Sequence, residues 1–291
     1  MSRNYSEIVD LVRKTLIIAG STFTEDKKRA YNKAISVETN CNSKWVLETI
    51  LENAKAAEAN QSPLCDDTGI PHLVLEVGET CSVTGQMLDA IREGVAAGLR
   101  DLPGRPMAIM GNDLERIDQS GGLSPNPEDV QSAPILLLRS NKNIVRLHIL
   151  LFGGGPAIRG KTYRVFHKHS WETVVDEIVQ WSIEAVSQLG CSPCTLSIGI
   201  GRSQFEAAAM MLEAQIEGSF DVQNDIESEI TKRVNEAEIG PLGLHGNTSV
   251  LATFLKVGPQ RASGVRIVSL RPSCCFEPRI AHVDIINEEK E

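Results

Sequence analysis

The 291-residue chain predicts a mixed α/β (α+β) fold, with a helical amino-terminal part followed by β-sheets covered by helices. Three observations carry this reading. Apolar residues recur at helical spacing over most of the first hundred positions; short apolar runs bounded by Gly and Pro then alternate with long amphipathic stretches; and no repeat or low-complexity block interrupts the pattern. With 42% hydrophobic and 23% charged residues the chain can bury a large core. One domain is expected over 1–291, mainly helical over 1–60 and α/β over 61–285.

The elements follow in order. "SEIVDLVRKTLII", "FTEDKKRAYNKAISVE" and "SKWVLETILENAKAAEA" have helical apolar spacing, with Thr24 and Ser43 where caps belong. "HLVLEVG" reads as a strand and "GQMLDAIREGVAAGLRDL" as a helix. Residues 101–132, rich in Pro, Gly and Asn, form a long connection. "APILLLR" and "NIVRLHILLFGGG" are close enough to be read as adjacent strands. A long helix, "SWETVVDEIVQWSIEAVSQLG", then leads to a strand, "CTLSIGIG", and helices over about 203–238. Strands at "SVLATFLKVG", "GVRIVSL" and "AHVDII" complete the chain.

A net charge of -9, spread along the sequence, leaves no basic footprint and argues against nucleic acid or an anionic membrane as partner. The start, "MSRNYSEIVDLVRKTLIIAG", has acidic residues within its pattern and only the short run "LIIAG". It resembles neither a signal peptide nor a span, so a cytoplasmic protein is expected. Seven cysteines, an odd number without an export signal, are then reduced thiols or metal ligands rather than a disulfide framework. Cys41 and Cys81 read as small apolar residues.

Four stretches could carry chemistry. "GPAIRGKT", Gly155 to Thr162, satisfies the phosphate-loop pattern and follows an expected strand, so a P-loop NTPase is one reading. Against it, Pro156 removes a backbone donor from a loop that must offer N–H groups, and the best strand to end in a magnesium-holding Asp, "RIAHVD" at Asp284, is a poor one. The other three are "PLCDDTG" with Cys65, "LGCSPCTLSIGIG" with Cys191 and Cys194, and "RPSCCFEPRIAHV" with Cys274 and Cys275. They lie too far apart for a zinc finger or a ferredoxin, so as a site they must converge in space. Three thiolates on a cubane cluster leave one iron open to act as a Lewis acid. The same spacing also fits three unrelated surface or core thiols.

Resemblance favours the cluster. "CDDTG" resembles the C-Q-D-T-G of the class I iron-sulfur fumarases and the L-tartrate dehydratase α subunits, "GCSPCTLSIGIG" their G-C-P-P-x-x-L-x-x-G-I-G-G, and "CFEPR" their terminal C-x-A-x-R. "GGGPAIRGKTYRVF" is similar to their G-G-G-S-x-N-K-T-Y with two residues inserted, which accounts for the phosphate-loop pattern. The motifs keep the family's order from about residue 30 to the end. The resemblance implies the family's cluster-domain fold and a hydro-lyase with a 4Fe-4S cluster, moving water across the double bond of a small dicarboxylate such as fumarate, malate or tartrate. It implies Cys65, Cys191 and Cys275 as ligands, Asp67 as acid-base group, Arg100 on a substrate carboxylate, and Gly153, Gly154, Gly155 and Lys161 lining the site. Asp67 could instead only cap the turn at Thr68-Gly69.

Departures are visible as well. Asp66 stands for the family's Gln, Phe152 for its Lys before the triple Gly, "QSAP" for an Asn-Thr, and Gln260 or Arg261 in "GPQRASG" for a His. The resemblance further implies a separate β-type subunit, in an assembly built on a homodimer or a heterotetramer, because the chain offers few cations for a dicarboxylate's second carboxylate. A non-catalytic iron-sulfur subunit is the remaining alternative.

Overall fold

A computed structural model describes residues 3–102 and 104–287. Along the chain run α1 (Tyr5–Ser21), α2 (Glu25–Val37), α3 (Cys41–Asn60), β1 (Ile70–Val77), α4 (Gly85–Asp101) and α5 (Asp113–Asp118). Next come β2 (Leu136–Arg139), β3 (Ile144–Phe152), α6 (Gly154–Arg159), β4 (Lys161–Phe166), α7 (Trp171–Leu189) and β5 (Cys194–Gly201). The chain continues through α8 (Gln204–Glu217), α9 (Asp225–Asn235), β6 (Val250–Val257), β7 (Val265–Ser273) and β8 (Ile280–Asn287). Among the described residues no helix is long and apolar enough to cross a membrane.

The chain divides into two compact units, so the helical stretch expected over 1–60 is shared between them. The first takes the segment ending at Thr22, Ala54–Gly153 and the segment starting at Arg279; the second takes Phe23–Asn53 and Gly154–Pro278. The mixed α/β class expected from the sequence is thus realised twice, each time as a four-stranded sheet with helices.

In the first unit the strand order is β2-β1-β3-β8, with β1 parallel to β2 and antiparallel to β3. β2 and β3, expected side by side, are therefore separated by β1. The cause lies in the link between them: Ser140 N–H donates to Val77 O at 2.9 Å and Gly78 N–H to Ile144 O at 2.8 Å, which carries the chain across the end of β1. Period-two alternation then sorts the side chains. Leu73, Leu75, Leu147, Ile149 and Leu151 share a core with Val12 and Leu16 of α1 and Ile91 and Val95 of α4. The opposite face carries Glu76, Arg146, His148, His282 and Asp284. α1 starts on a capping box, Asn4 with Glu7, which satisfies donors that the first turn leaves open.

The second sheet has the order β4-β7-β5-β6. β5 is buried at all eight positions. Leu196, Ile198 and Ile200 share a core with Ile178 and Val186 of α7 and Ile230 and Val234 of α9. On the other face α8 lies so close that a Cβ at Gly199 would stand 2.0 Å from Ala207 O, which explains the glycine. α7 begins at the cap Ser170, whose hydroxyl accepts from Thr173 N, and stops at Gly190 in the left-handed conformation. Thr24 occupies the α2 cap without a side-chain bond, whereas Ser43 lies inside α3 and donates to His245 O. β4 was not expected. It is an edge strand with only Val165 buried, so its sequence has no apolar run to reveal it.

Candidate active site

In the first unit, strand register gathers residues that are far apart in sequence. Ile70, opening β1, pairs with Phe152, closing β3, and Ile280, opening β8, pairs with Leu150. The "CDDTG" turn ahead of β1, Gly153 after β3 and Arg279 ahead of β8 therefore share one end of the sheet. Arg279 is buried, and its Nη1 donates to the Asp67 carbonyl. Gly69 sits at φ 84°, where a Cβ would stand 2.6 Å from Arg279 Nη2 and 2.9 Å from the Phe152 backbone, so only glycine closes this turn. Asp66 Oδ1 accepts from Asp67 N at 2.9 Å and from the Cys65 thiol at 3.5 Å. Arg105 approaches Asp66 to 3.6 Å. Cys65 and Asp67 are half-buried while Asp66 is exposed.

In the second unit, β5 and β7 run antiparallel with Thr195 opposite Ser273, so the loop before β5 meets the loop after β7. Cys275 N–H donates to Cys191 O at 2.8 Å. Two of the three expected ligands are held together by this bond. Tyr31, buried on α2, donates its hydroxyl to Cys275 O at 2.7 Å; burial first, and then the neighbouring thiols, push that phenol well above its ordinary pKa, so it stays a donor. Lys27, fully buried, donates to Glu277 O at 2.8 Å and lies 4.1 Å from the Phe23 ring. Arg271 and Glu277 form a buried ion pair at 2.9 Å.

The cysteine alternatives separate here. Cys194 is the first residue of β5 and belongs to the apolar core, where burial raises its thiol far above the usual range; it is a core residue held as a thiol. Cys191 is exposed in its loop. The hydrogen-bonded Cys274 thiol first, then burial and the Cys191 thiol, push Cys275 well above its ordinary value. Thiols crowded in this way lose their protons most readily to a bound cation.

Residues 9–284 match the fumarate hydratase (Fumerase) family. The chain belongs to that family. Over 281 residues it is 26% identical to the "Putative L(+)-tartrate dehydratase subunit alpha" of Methanocaldococcus jannaschii, covering 93% of this chain and 92% of that one. It is 21% identical to the L(+)-tartrate dehydratase subunit alpha of Escherichia coli K12, over 97% of this chain and 93% of the relative. A "Putative fumarate hydratase class I" of Geobacillus stearothermophilus is 25% identical over 98% of this chain, which spans 55% of that protein's length. The chain is accordingly a hydro-lyase of the fumarate hydratase and tartrate dehydratase type.

Several other residues expected at the site of this fumarate hydratase family member have partners of their own. Arg100, in the last turn of α4, is 3.3 Å from Glu128. Lys161 Nζ is 2.8 Å from Glu184 on α7 and 5.6 Å from the Trp181 ring centroid. Gly154 and Gly155 open α6, and a Cβ at Gly155 would meet nothing within 4 Å. Phe152, where the family resemblance places Lys, is buried and stacks on His72 with ring centroids 4.3 Å apart. The "GPAIRGKT" segment does not form a phosphate loop. Such a loop follows a strand and hands its Lys-Thr to a helix; here the helix comes first, Gly160 N–H closes it onto Pro156 O at 3.1 Å, and Lys161-Thr162 open a strand.

The "GPQRASG" segment, aligned above with a family His, sits elsewhere. Gly258 N–H bonds Ile200 O at 2.9 Å, which fixes the segment at the end of β5 opposite Cys194. Arg279 and Arg105, which the structure brings to the cysteine turn, were not singled out from the sequence, although Arg279 is the last letter of "CFEPR". Its role depends on a backbone carbonyl 212 positions away, which no local pattern reveals.

Among the described residues no three His, Cys, Asp or Glu side chains are placed to hold a metal ion. Ligands of a four-iron cluster bind different metal atoms and stand farther apart than ligands of one ion. In residue type the loop cysteines suit such a group: Cys191 and Cys275 are joined through their backbones in the second unit, with the competing Cys194 sealed in the core, and Cys65 stands in a loop of the first.

Proposed function

We propose that this chain is the α-type subunit of a cytoplasmic hydro-lyase that reversibly adds water to a small unsaturated dicarboxylate, with a 4Fe-4S cluster on Cys65, Cys191 and Cys275. The observation that carries the reading is the bond from Arg279 to the Asp67 carbonyl, which joins the first and last motifs of the chain at one sheet end. Bound there, the cluster would supply an iron without a protein ligand as Lewis acid for the departing or entering hydroxyl. Everything else falls to side chains and backbone.

A proton α to a carboxylate is weakly acidic, so its removal needs a positioned base. Asp67 serves as that base and returns the proton in the hydration direction; Arg279 sets its backbone. Gly153 to Gly155 let the backbone approach the substrate, whose carboxylate charge grows as the proton leaves. Arg105 already reaches the cysteine turn, while Arg100 and Lys161 take a substrate carboxylate by exchanging Glu128 and Glu184 for it. A β-type partner completes the anion clamps. The relatives named as subunits alpha support this.

Anaerobic purification with iron and sulfide analysis, followed by assay on fumarate, malate and tartrate with and without a co-expressed β-type chain, tests the proposal. About four irons per chain and activity that depends on the partner are expected. A colourless, iron-free and inactive pair would overturn it.

A further inference from the structure

The apolar core of the second unit is open at one end. Val175 and Ile178 of α7, Ile200 of β5, Ile226 of α9 and Leu255 and Val257 of β6 line a pocket of about 310 Å³. It lies at the end of β5 away from the cysteines, about 20 Å along the strand from Cys194 at some 3.3 Å per residue. Val175, Ile178 and Ile200 are buried core residues, whereas Val257 at the mouth is 54% exposed and the adjoining Trp171 56%. In a well-packed domain such a core is closed by its own side chains. The volume is at the small end of the range for ligand sites, enough for one ring or a branched tail.

The rim has a definite charge. Arg266 Nη1 donates to the carbonyls of Ser263 and Val265 at 3.2 and 2.9 Å, and among the described residues no carboxylate pairs with this guanidinium. The His167 ring is held by the backbone, with Nε2 2.8 Å from Ser263 O and Nδ1 accepting from His169 N at 2.9 Å. Glu172, the acidic group next to the rim in sequence, is taken up by the Ser170 hydroxyl at 2.6 Å. Gln260, on the rim, adds an amide. An apolar slot with one uncompensated guanidinium at its mouth is complementary to a carboxylate on an apolar tail, and it excludes cations.

We propose that this pocket is a second binding site, separate from the cysteine end, for a small monocarboxylate with a branched or aromatic tail, its carboxylate on Arg266 and its tail between α7, α9 and β6. The site needs neither a cluster nor a partner chain. Calorimetric titration of the full purified chain with phenylacetate and isovalerate, and with benzylamine as the same ring carrying a cation, tests it. Saturable one-to-one binding of at least one acid is expected, with benzylamine silent. Arg266→Gln weakens binding at least tenfold, and Val257→Trp, which fills the mouth from an exposed position, abolishes it. Should Arg266→Gln not fold, Val257→Trp alone decides. No saturable binding of either acid, equal binding of benzylamine, or affinity unchanged in the folded variants would each overturn the assignment. Because no activity is read, that failure is distinct from failure of the hydro-lyase reading.

Discussion

The turn that carries Cys65 is held from outside by Arg279 on the Asp67 carbonyl, by Leu64 N–H on Gly20 O at 2.9 Å and by Arg105 near Asp66, whereas the loops that carry Cys191 and Cys275 are tied by their own backbones and by a buried polar network. That network comprises Tyr31 and Lys27 of α2 and the Arg271–Glu277 pair. The turn is half-buried and partly polar; Lys27, Arg271, Cys275 and Glu277 are all buried. A half-exposed site element can lose its chemistry while the fold survives. One embedded in charges that have no water to fall back on cannot be altered without cost to the fold.

The largest expected effect treats both regions alike. Cys65→Ser, Cys191→Ser and Cys275→Ser each abolish cluster binding, read as iron per chain after anaerobic purification, while Cys41→Ser and Cys81→Ser retain it. Cys194→Ser and Cys274→Ser serve as the decisive controls. Full iron in Cys191→Ser with loss in Cys194→Ser would reverse the assignment, against the burial of Cys194 in the apolar core.

The regions should then part. Arg271→Met removes the Arg271 guanidinium from the buried Glu277 carboxylate, for which the cost is about 3–5 kcal/mol of stability. Urea denaturation of the apo chain reads it, and a loss below 1 kcal/mol would mean that water or another group already compensates Glu277. Asp67→Asn, in the other region, keeps the same urea midpoint and the cluster but lowers turnover roughly a hundredfold, the scale of a lost acid-base group. Unchanged turnover would leave Asp67 as a turn residue and pass the proton to another group.

Much of this contrast was legible in the sequence, and the illegible part has physical reasons. Helices with a periodic apolar stripe and end signals, such as α7 between Ser170 and Gly190, fall where expected because local bonding decides them. β4 was hidden, since an edge strand exposes most of its residues and its Gly-Lys-Thr start imitated a phosphate loop. The β2 and β3 neighbourhood failed because a four-residue strand takes its partner from β1, more than fifty positions earlier, rather than from the run that follows it. The cysteine motifs were readable as loops. What pins them, Arg279 on one side and Tyr31 and Lys27 on the other, comes from segments hundreds of residues away and leaves no local trace.

The smallest effect compares the ion pairs of the two units directly. In the first, Arg146 grips Asp284 through Nε at 2.6 Å and Nη2 at 3.1 Å, but both side chains keep 25% of their surface exposed, unlike the sealed Arg271–Glu277 pair. The hydrogen bond from Arg146, partly opposed by burial, holds the Asp284 carboxyl below its usual value of 3.8. A carboxyl with a lowered folded pKa stabilises the fold above its unfolded pKa, and the contribution disappears as pH falls through the folded one. Arg146→Gln should therefore cost about 1 kcal/mol at pH 7, several-fold less than Arg271→Met, since solvent can replace part of the partner. The gap to the unaltered chain should start to close near pH 4 and vanish in stronger acid, where Asp284 is protonated in both proteins. His282 and Lys142, which also draw that pKa down, are present in both and cancel in the difference. Urea midpoints measured for the two chains from pH 7 to 3 supply the test. A gap that stays constant into acid would mean that Arg146 contributes through packing on the sheet face, and the comparison of the units would then rest on shape rather than charge.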